Sequence, residues 1–299
     1  MFVVDMHADS LRTVTEANGL INRYNFSREY PQLQFMADFV PRLGNSPEQR
    51  RREVMHYLDV YIAEAQRLGL VRVLNCHDVN FAIELEKRAT LFAVEGGGGL
   101  FADSEELTTL HKMGLRVLGL AWDSNELATS SRDNSSDKGL TAEGFKMVER
   151  CSELGIILDI SHLSDRAVYD LLGATAYPVI ATHSNFREVR SSERNLPLDI
   201  AKKVASRGGV IGINLYPEFL GENIDAIFSH IDYALDKLGE DAIAFGFDID
   251  GTDGKYPVGI TEEGSIHDRV IELLLGRYSE RLVEKLAGLN AIDFLKNNL

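Results

Sequence analysis

Short apolar runs recur along the chain, and longer segments of helical periodicity separate them. Strand candidates fall at residues 2–6, 70–75, 90–95, 115–120, 156–160, 178–181, 209–214 and 243–247. Most are β-branched or aromatic runs of the fully buried kind, as parallel strands covered by helices require. Between them the periodicity predicts helices at 47–68, 103–113, 141–154, 164–172, 198–207 and 224–239, then 267–275 and 279–296. Ser46 before Pro47 and Ser164 before Asp165 are helix starts, and Gly69, Gly114, Gly155 and Gly239 stand where helices would stop. Eight strands alternating with helices predict a (β/α)8 barrel rather than an open sheet. No Pro-, Ser- or Gly-rich linker and no fixed-period repeat divides the chain, so one barrel domain over 1–299 is expected. Two segments, 10–46 and 123–139, read as long loops at the barrel mouth. The second is polar and Ser-rich, either a lid or a plain surface loop.

Composition narrows the partners. A length of 299 residues is normal for such a barrel, and a body of this size buries roughly three quarters of the surface its unfolded chain exposes. The formal net charge of −15 argues against nucleic acid and anionic membranes, which select basic surfaces. Cys76 and Cys151 are the only cysteines and form no CxxC pair, so no disulfide framework or thiolate metal site is expected. With no signal-type N-terminus and no apolar run of about eighteen residues, the reading is a cytoplasmic protein.

The chemistry collects at the strand ends. His7 and Asp9 close the first strand as His-x-Asp, two residues apart and so able to reach one point. Glu95 ends the third strand, His162 follows the fifth in LDISH, His183 the sixth in PVIATH, and Asp248 and Asp250 the eighth in FGFDIDG. In a barrel these strand ends converge on one rim, where the fold keeps its active sites. A lone histidine after a strand is more often structural, but five His, Asp and Glu residues at four converging ends are hard to place by accident. Imidazole and carboxylate without thiolate suit zinc or a similar divalent ion. The other histidines fit less well. His56, His111 and His230 lie within predicted helices, as surface residues; His267 opens a helix; His77 follows the second strand.

Taken in order, VDMHAD, AVEGG, LDISH, PVIATHS, RNLP, NLY and GFDIDG resemble the signature series of the membrane (renal) dipeptidase family, and QFMADFV at 34–40 resembles a further family segment. The resemblance runs nearly the whole length. It implies an amidohydrolase-type barrel, often a homodimer, that hydrolyses dipeptides with two zinc ions and a bridging hydroxide nucleophile. Carried over by position, His7 and Asp9 would hold one ion, His162 and His183 the other, and Glu95 would bridge. Asp248 would be the catalytic acid/base, with Asp250 orienting the turn. Arg194 in RNLP would contact the substrate carboxylate, and Tyr216 in NLY would lie near it.

One position departs from the family pattern. After the fourth strand the family has a histidine thought to assist the transition state, and this chain has Trp122. An indole donates one hydrogen bond but carries neither proton nor charge. Trp122 is therefore expected to narrow the pocket, or else to pack beneath 123–139. Two other functions stay open at this stage. One is a related metal-dependent amidohydrolase acting on N-acyl or D-amino-acid amides. The other is a non-hydrolytic phosphate- or sugar-binding barrel built on Gly96–Gly99.

Overall fold

The computed structural model describes residues 1–16, 26–39, 46–103, 105–260 and 265–299. In chain order its strands and helices are β1 (Val3–Ala8), α1 (Ser10–Glu16), β2 (Gln32–Phe39), α2 (Pro47–Leu68), β3 (Val71–Arg72), α3 (Cys76–Glu84), β4 (Ala89–Glu95), α4 (Glu105–Met113), β5 (Leu115–Gly119), α5 (Ala142–Leu154), β6 (Ile157–Asp159), α6 (Asp165–Ala174), α7 (Leu198–Ser206), β7 (Ile211–Ile213), α8 (Pro217–Leu220), α9 (Ala226–Leu238), β8 (Ile243–Phe245), α10 (Ile266–Leu275), α11 (Glu280–Glu284) and α12 (Asn290–Asn298). The predicted helix starts hold. Ser46 accepts a hydrogen bond from Gln49 N while the Gln49 side chain returns one to Ser46 N, and Ser164 caps α6 through Ala167 N. Gly69 and Gly155 end α2 and α5 in the left-handed conformation, at φ 65° and 72°.

All strand pairings are parallel, in the order β6-β5-β4-β2-β1-β8-β7. The predicted strand at 178–181 supplies the last stave, although only two of its residues bridge. Ile180 pairs with Asp159 of β6 and Ala181 with Ile211 of β7, so the ends of the sheet meet and the barrel closes. On that side the wall is tight: a Cβ on either Gly212 or Gly246 would collide with Thr182 O, which is why both positions lack one.

The second stave is not the predicted 70–75. There only Val71 and Arg72 are extended, pairing with Ala89 and Thr90 at the foot of β4. The stave is β2, inside the segment expected to be a loop. Its outward side chains Gln32, Gln34 and Asp38 are polar yet fully buried, whereas Leu33, Phe35 and Ala37 point to the barrel interior. Residues 17–25 and 40–45 of that expected loop, Val40 of QFMADFV among them, lie outside the described residues.

Val4, Met6, Leu33, Phe35, Leu91, Val117 and Ala244 fill the barrel, and Ile292, Phe294 and Leu295 of α12 join the same cluster. A second cluster packs the strands' outer faces against the helices. Burial of this kind, at roughly 25 cal/mol per Å² of apolar surface, holds the rim rigid. No helix among the described residues is long and apolar enough to cross a membrane.

Candidate metal centre at the barrel rim

Six predicted side chains meet at the C-terminal ends of the staves. His7 lies in β1 and Asp9 just after it, where Asp9 N donates to Ile249 O at 2.8 Å. Glu95 is the last residue of β4 and stands at the centre. Its Oε1 is 2.8 Å from His162 Nε2, 3.1 Å from His183 Nε2 and 3.7 Å from His7 Nε2. On the far side, His7 Nε2 is 3.5 Å from Asp9 Oδ1 and 3.9 Å from Asp248 Oδ1. His7, Glu95 and His183 form one group with the spacing of metal donors, and His7, Asp9 and Asp248 form another. His7 belongs to both, so these distances do not by themselves draw the expected division into two separate ligand pairs.

His162 and Asp248 reach the centre from left-handed backbone, at φ 67° and 60°. Such conformations cost about 1–3 kcal/mol in non-glycine residues and gather at functional sites. Gly251 is the complementary case: a Cβ there would run into the carboxylates of Asp248 and Asp9.

Protein groups alone leave this centre poorly balanced. Burial pushes Glu95 well above the usual carboxylate range, and the charges of Asp9 and Asp248 add to it. Burial likewise lifts Asp248 to about 7, against the pull of His7. For His7, burial favours the neutral ring, but Glu95, Asp9 and Asp248 overcome it and raise the group to about 10. Burial holds His162 and His183 well below 6.5, as neutral imidazoles, the form that binds metal. His7 Nε2 and Asp9 Oδ1 are buried without a hydrogen-bond partner among the described residues. Buried polar atoms normally have one. Orphaned imidazole and carboxylate atoms at this spacing fit divalent cations.

A second layer of residues, lying within the quoted motifs but given no role above, aims the first. Asp159, the last residue of β6, accepts from Ser161 N at 2.9 Å and from Thr182 N at 3.0 Å, and binds Thr182 Oγ1 as well. Thr182 Oγ1 lies 2.8 Å from His183 Nδ1, which turns Nε2 of that ring toward Glu95. A partner on the far ring nitrogen is the usual way to orient a ligating histidine. Asn214 Nδ2 donates to Asp248 Oδ2 at 3.0 Å, and Asn214 is tied to Asn185 by two further bonds.

Above the centre opens a cavity of about 740 Å³, lined by Arg194, Tyr216 and Trp122 among others. Arg194 is held from behind, Nη1 donating to Ser184 Oγ at 2.8 Å and Nη2 to His183 O at 2.7 Å, with Phe219 beneath it. Trp122 faces the cavity rather than only packing under the 123–139 segment. Its ring meets Phe39 edge-on at 4.6 Å and lies 5.9 Å from that of His162. The 123–139 segment is built into the rim. Leu127 to Ser131 are buried, Ser131 N donates to His162 O, and Ser130 Oγ donates to the Trp122 carbonyl.

Of the remaining histidines, His267 opens α10 as expected, whereas His230 and His111 are not the surface residues expected. His230 is fully buried, not on the surface; its Nδ1 accepts from Phe186 N and its Nε2 faces Leu220 O. His267 is also buried, 2.8 Å from Asp5 Oδ2. His77 is exposed on α3, away from the cavity, and His111 is half-buried. The Gly96–Gly99 run is no anion cradle: the N–H groups of Gly96 and Gly97 both donate to Gly119 O, and Gly98 O accepts from Arg50.

Fold and rim together define a barrel of the metallohydrolase type. Residues 3–298 match the family model for membrane dipeptidases, peptidase family M19, and the chain belongs to that family. It is 33% identical over 202 residues to "Dipeptidase 3" of Mus musculus, a match that takes in 64% of this chain and 41% of the mouse protein. Among solved structures it superposes on "dipeptidase AC", a metallopeptidase, with a TM-score of 0.88, 24% identity and coverage of 100% of this chain and 98% of that one. It also superposes on a metallopeptidase from Rhodobacter sphaeroides bound to a phosphinate mimic of the dipeptide L-Ala-D-Ala. There the TM-score is 0.85 and the identity 23%, with 100% and 99% of the two chains covered.

Proposed function

We propose that this chain hydrolyses dipeptides with a pair of divalent ions, zinc by the chemistry of the donors. The observation that carries the reading is the convergence of His7, Asp9, Glu95, His162 and His183 below a cavity that also presents a buried guanidinium. His7 and Asp9 would hold one ion, His162 and His183 the other, with Glu95 between them. Ions bound there would supply Lewis acidity toward a carbonyl oxygen and lower the pKa of a bound water. Asp248 takes the proton from the attacking water and passes it to the leaving amine. Asn214 holds Asp248 Oδ2, so Oδ1 is the atom turned toward His7. Arg194 keeps N–H groups beyond the two bonds that fix it, and these receive the free C-terminal carboxylate. Tyr216 and Trp122 close the sides of the cavity, whose size suits a substrate of two residues.

The test is a panel of L-L and L-D dipeptides on zinc-loaded protein, run beside elemental analysis. About two ions per chain and turnover of free-acid dipeptides are expected. Arg194→Ala should cost free acids about 10- to 100-fold more than their C-terminal amides, the worth of one charge-assisted contact. A chain that takes up no metal, or hydrolyses no dipeptide when loaded, removes the reading.

A further inference from the structure

Three guanidiniums line the cavity, and their partners differ. Arg194 is spent in part on Ser184 and His183 O, and Arg12 lies 3.5 Å from Asp253. Arg132 makes no ion pair and no side-chain hydrogen bond among the described residues. Its guanidinium lies over the ring of Trp122, with Cζ 4.1 Å from the ring centroid. Of the acids lining the cavity, Asp253 lies on Arg12 and Glu193 beside Arg187. The neighbouring Ser131 is buried, lines the same cavity, and its Oγ has no hydrogen-bond partner among the described residues. A hydroxyl donor and a free guanidinium thus stand side by side on one wall.

Neither residue is on a free loop. Ser131 N donates to His162 O at 2.8 Å, Ser130 pairs with Leu163, and Arg132 N donates to Ser130 Oγ at 3.2 Å. The pair therefore moves with the His162 segment of the centre. The cation–π contact with Trp122 holds the guanidinium in place before any ligand arrives, which lowers the ordering cost of binding. Trp122 is the position where a histidine was expected, and here it serves as the platform. The charge of Arg132 also opposes that of Arg194 across the same cavity. Two like charges lining one cavity, in a chain of net charge −15, call for a ligand with two anionic groups.

We infer that Ser131 and Arg132 form a second anion subsite that selects dipeptides whose C-terminal residue is acidic. The α-carboxylate goes to Arg194 and the side-chain carboxylate to Arg132 and Ser131. The inference rests on the dipeptidase reading above and on the place given there to Arg194.

Ala-Asp and Ala-Glu should be compared with their uncharged isosteres Ala-Asn and Ala-Gln, and with Asp-Ala, in both configurations of the C-terminal residue. In the zinc-loaded enzyme kcat/KM for the acidic substrate should exceed that for its isostere by about 10- to 100-fold. In Arg132→Ala the ratio should fall to near one, Ser131→Ala should lower it by a smaller factor, and Arg132→Glu should reverse it. A parallel measurement by calorimetry, free aspartate against asparagine on wild type and Arg132→Ala, reads the subsite without turnover. If neutral dipeptides are cleaved and the acidic ones gain nothing, the subsite is wrong and the dipeptidase reading stands. Equal loss on all substrates in Arg132→Ala, or a preference for Asp-Ala, overturns it as well. If no dipeptide is cleaved, the dipeptidase reading fails, and the aspartate binding difference alone decides whether the anion subsite exists.

Discussion

At the rim, His7 Nε2 and Asp9 Oδ1 are buried and have no hydrogen-bond partner among the described residues. On the outer face of the same strand, two residues before His7, a second buried set of similar groups is nearly complete. Asp5 Oδ1 accepts from His7 N and Phe247 N, and Asp5 Oδ2 is 2.8 Å from His267. Gln32 faces His267 in turn and donates to Gln34, and only His267 Nδ1 is left over. The two regions share residue types and depth but differ in what is unspent. The outer set satisfies itself and holds β1, β2 and α10 together. The rim set converges on a point where atoms remain free, which marks a place for something the chain does not supply.

The largest effect that could break this contrast is at Glu95. Glu95→Gln should lose both ions by elemental analysis and all measurable hydrolysis, with an unfolding midpoint equal to wild type in chelator. Retained metal would mean that Glu95 is no more central than Asp5. Next, Asp248→Asn should keep its metal while turnover falls by about 10²–10⁴-fold, the worth of a positioned acid/base. Metal loss in that variant would make Asp248 a ligand instead.

On the structural side, His267→Phe leaves Asp5 Oδ2 buried and unpartnered. Denaturant unfolding should show a loss of about 3–5 kcal/mol, as when one member of a buried pair is removed. Metal content per folded chain should not change; if it does, the outer set is part of the centre. The smallest effect is read through pH at His230, another self-satisfied histidine, which burial lowers to about 4. Unfolded, it titrates near 6.5, so between those values the unfolded chain binds the extra proton. The contribution of neutral His230 is full above about pH 6.5 and is lost as pH falls toward 4, by up to about 3 kcal/mol. The stability gap between wild type and His230→Gln should shrink over that window. A gap that does not change with pH would show the ring to be solvated.

The same contrast explains which features were legible beforehand. His7, Asp9, Glu95, His162, His183 and Asp248 each follow or end an apolar run, so strand ends and residue chemistry together locate the rim. β2 was hidden because Gln32, Gln34 and Asp38 break its apolar character on the face that meets the helices. Polar alternation there reads as solvent exposure, and only tertiary packing reveals it as buried. His230 misled for a related reason: sequence periodicity places a residue on a helix face but does not say that a hydrogen-bond partner waits opposite. Asp159, Thr182 and Asn214 lie inside recognisable motifs, yet their work is done through other side chains. Arg132 carried no strand-end signal, and its relation to Trp122 exists only in three dimensions.

The parallel wiring of the barrel also sets a timetable. Residue 5 pairs with residue 245, and Ala8 with Ile249, so the first stave cannot be sealed until the last has emerged and docked. Such long-range closure is slow compared with local helix formation. The donors at the rim are strung between residues 7 and 248, so no partly folded chain brings them all together. Capture of a metal ion by the complete set should therefore be among the last events of folding, and its rate would serve as a clock for the moment the ring shuts.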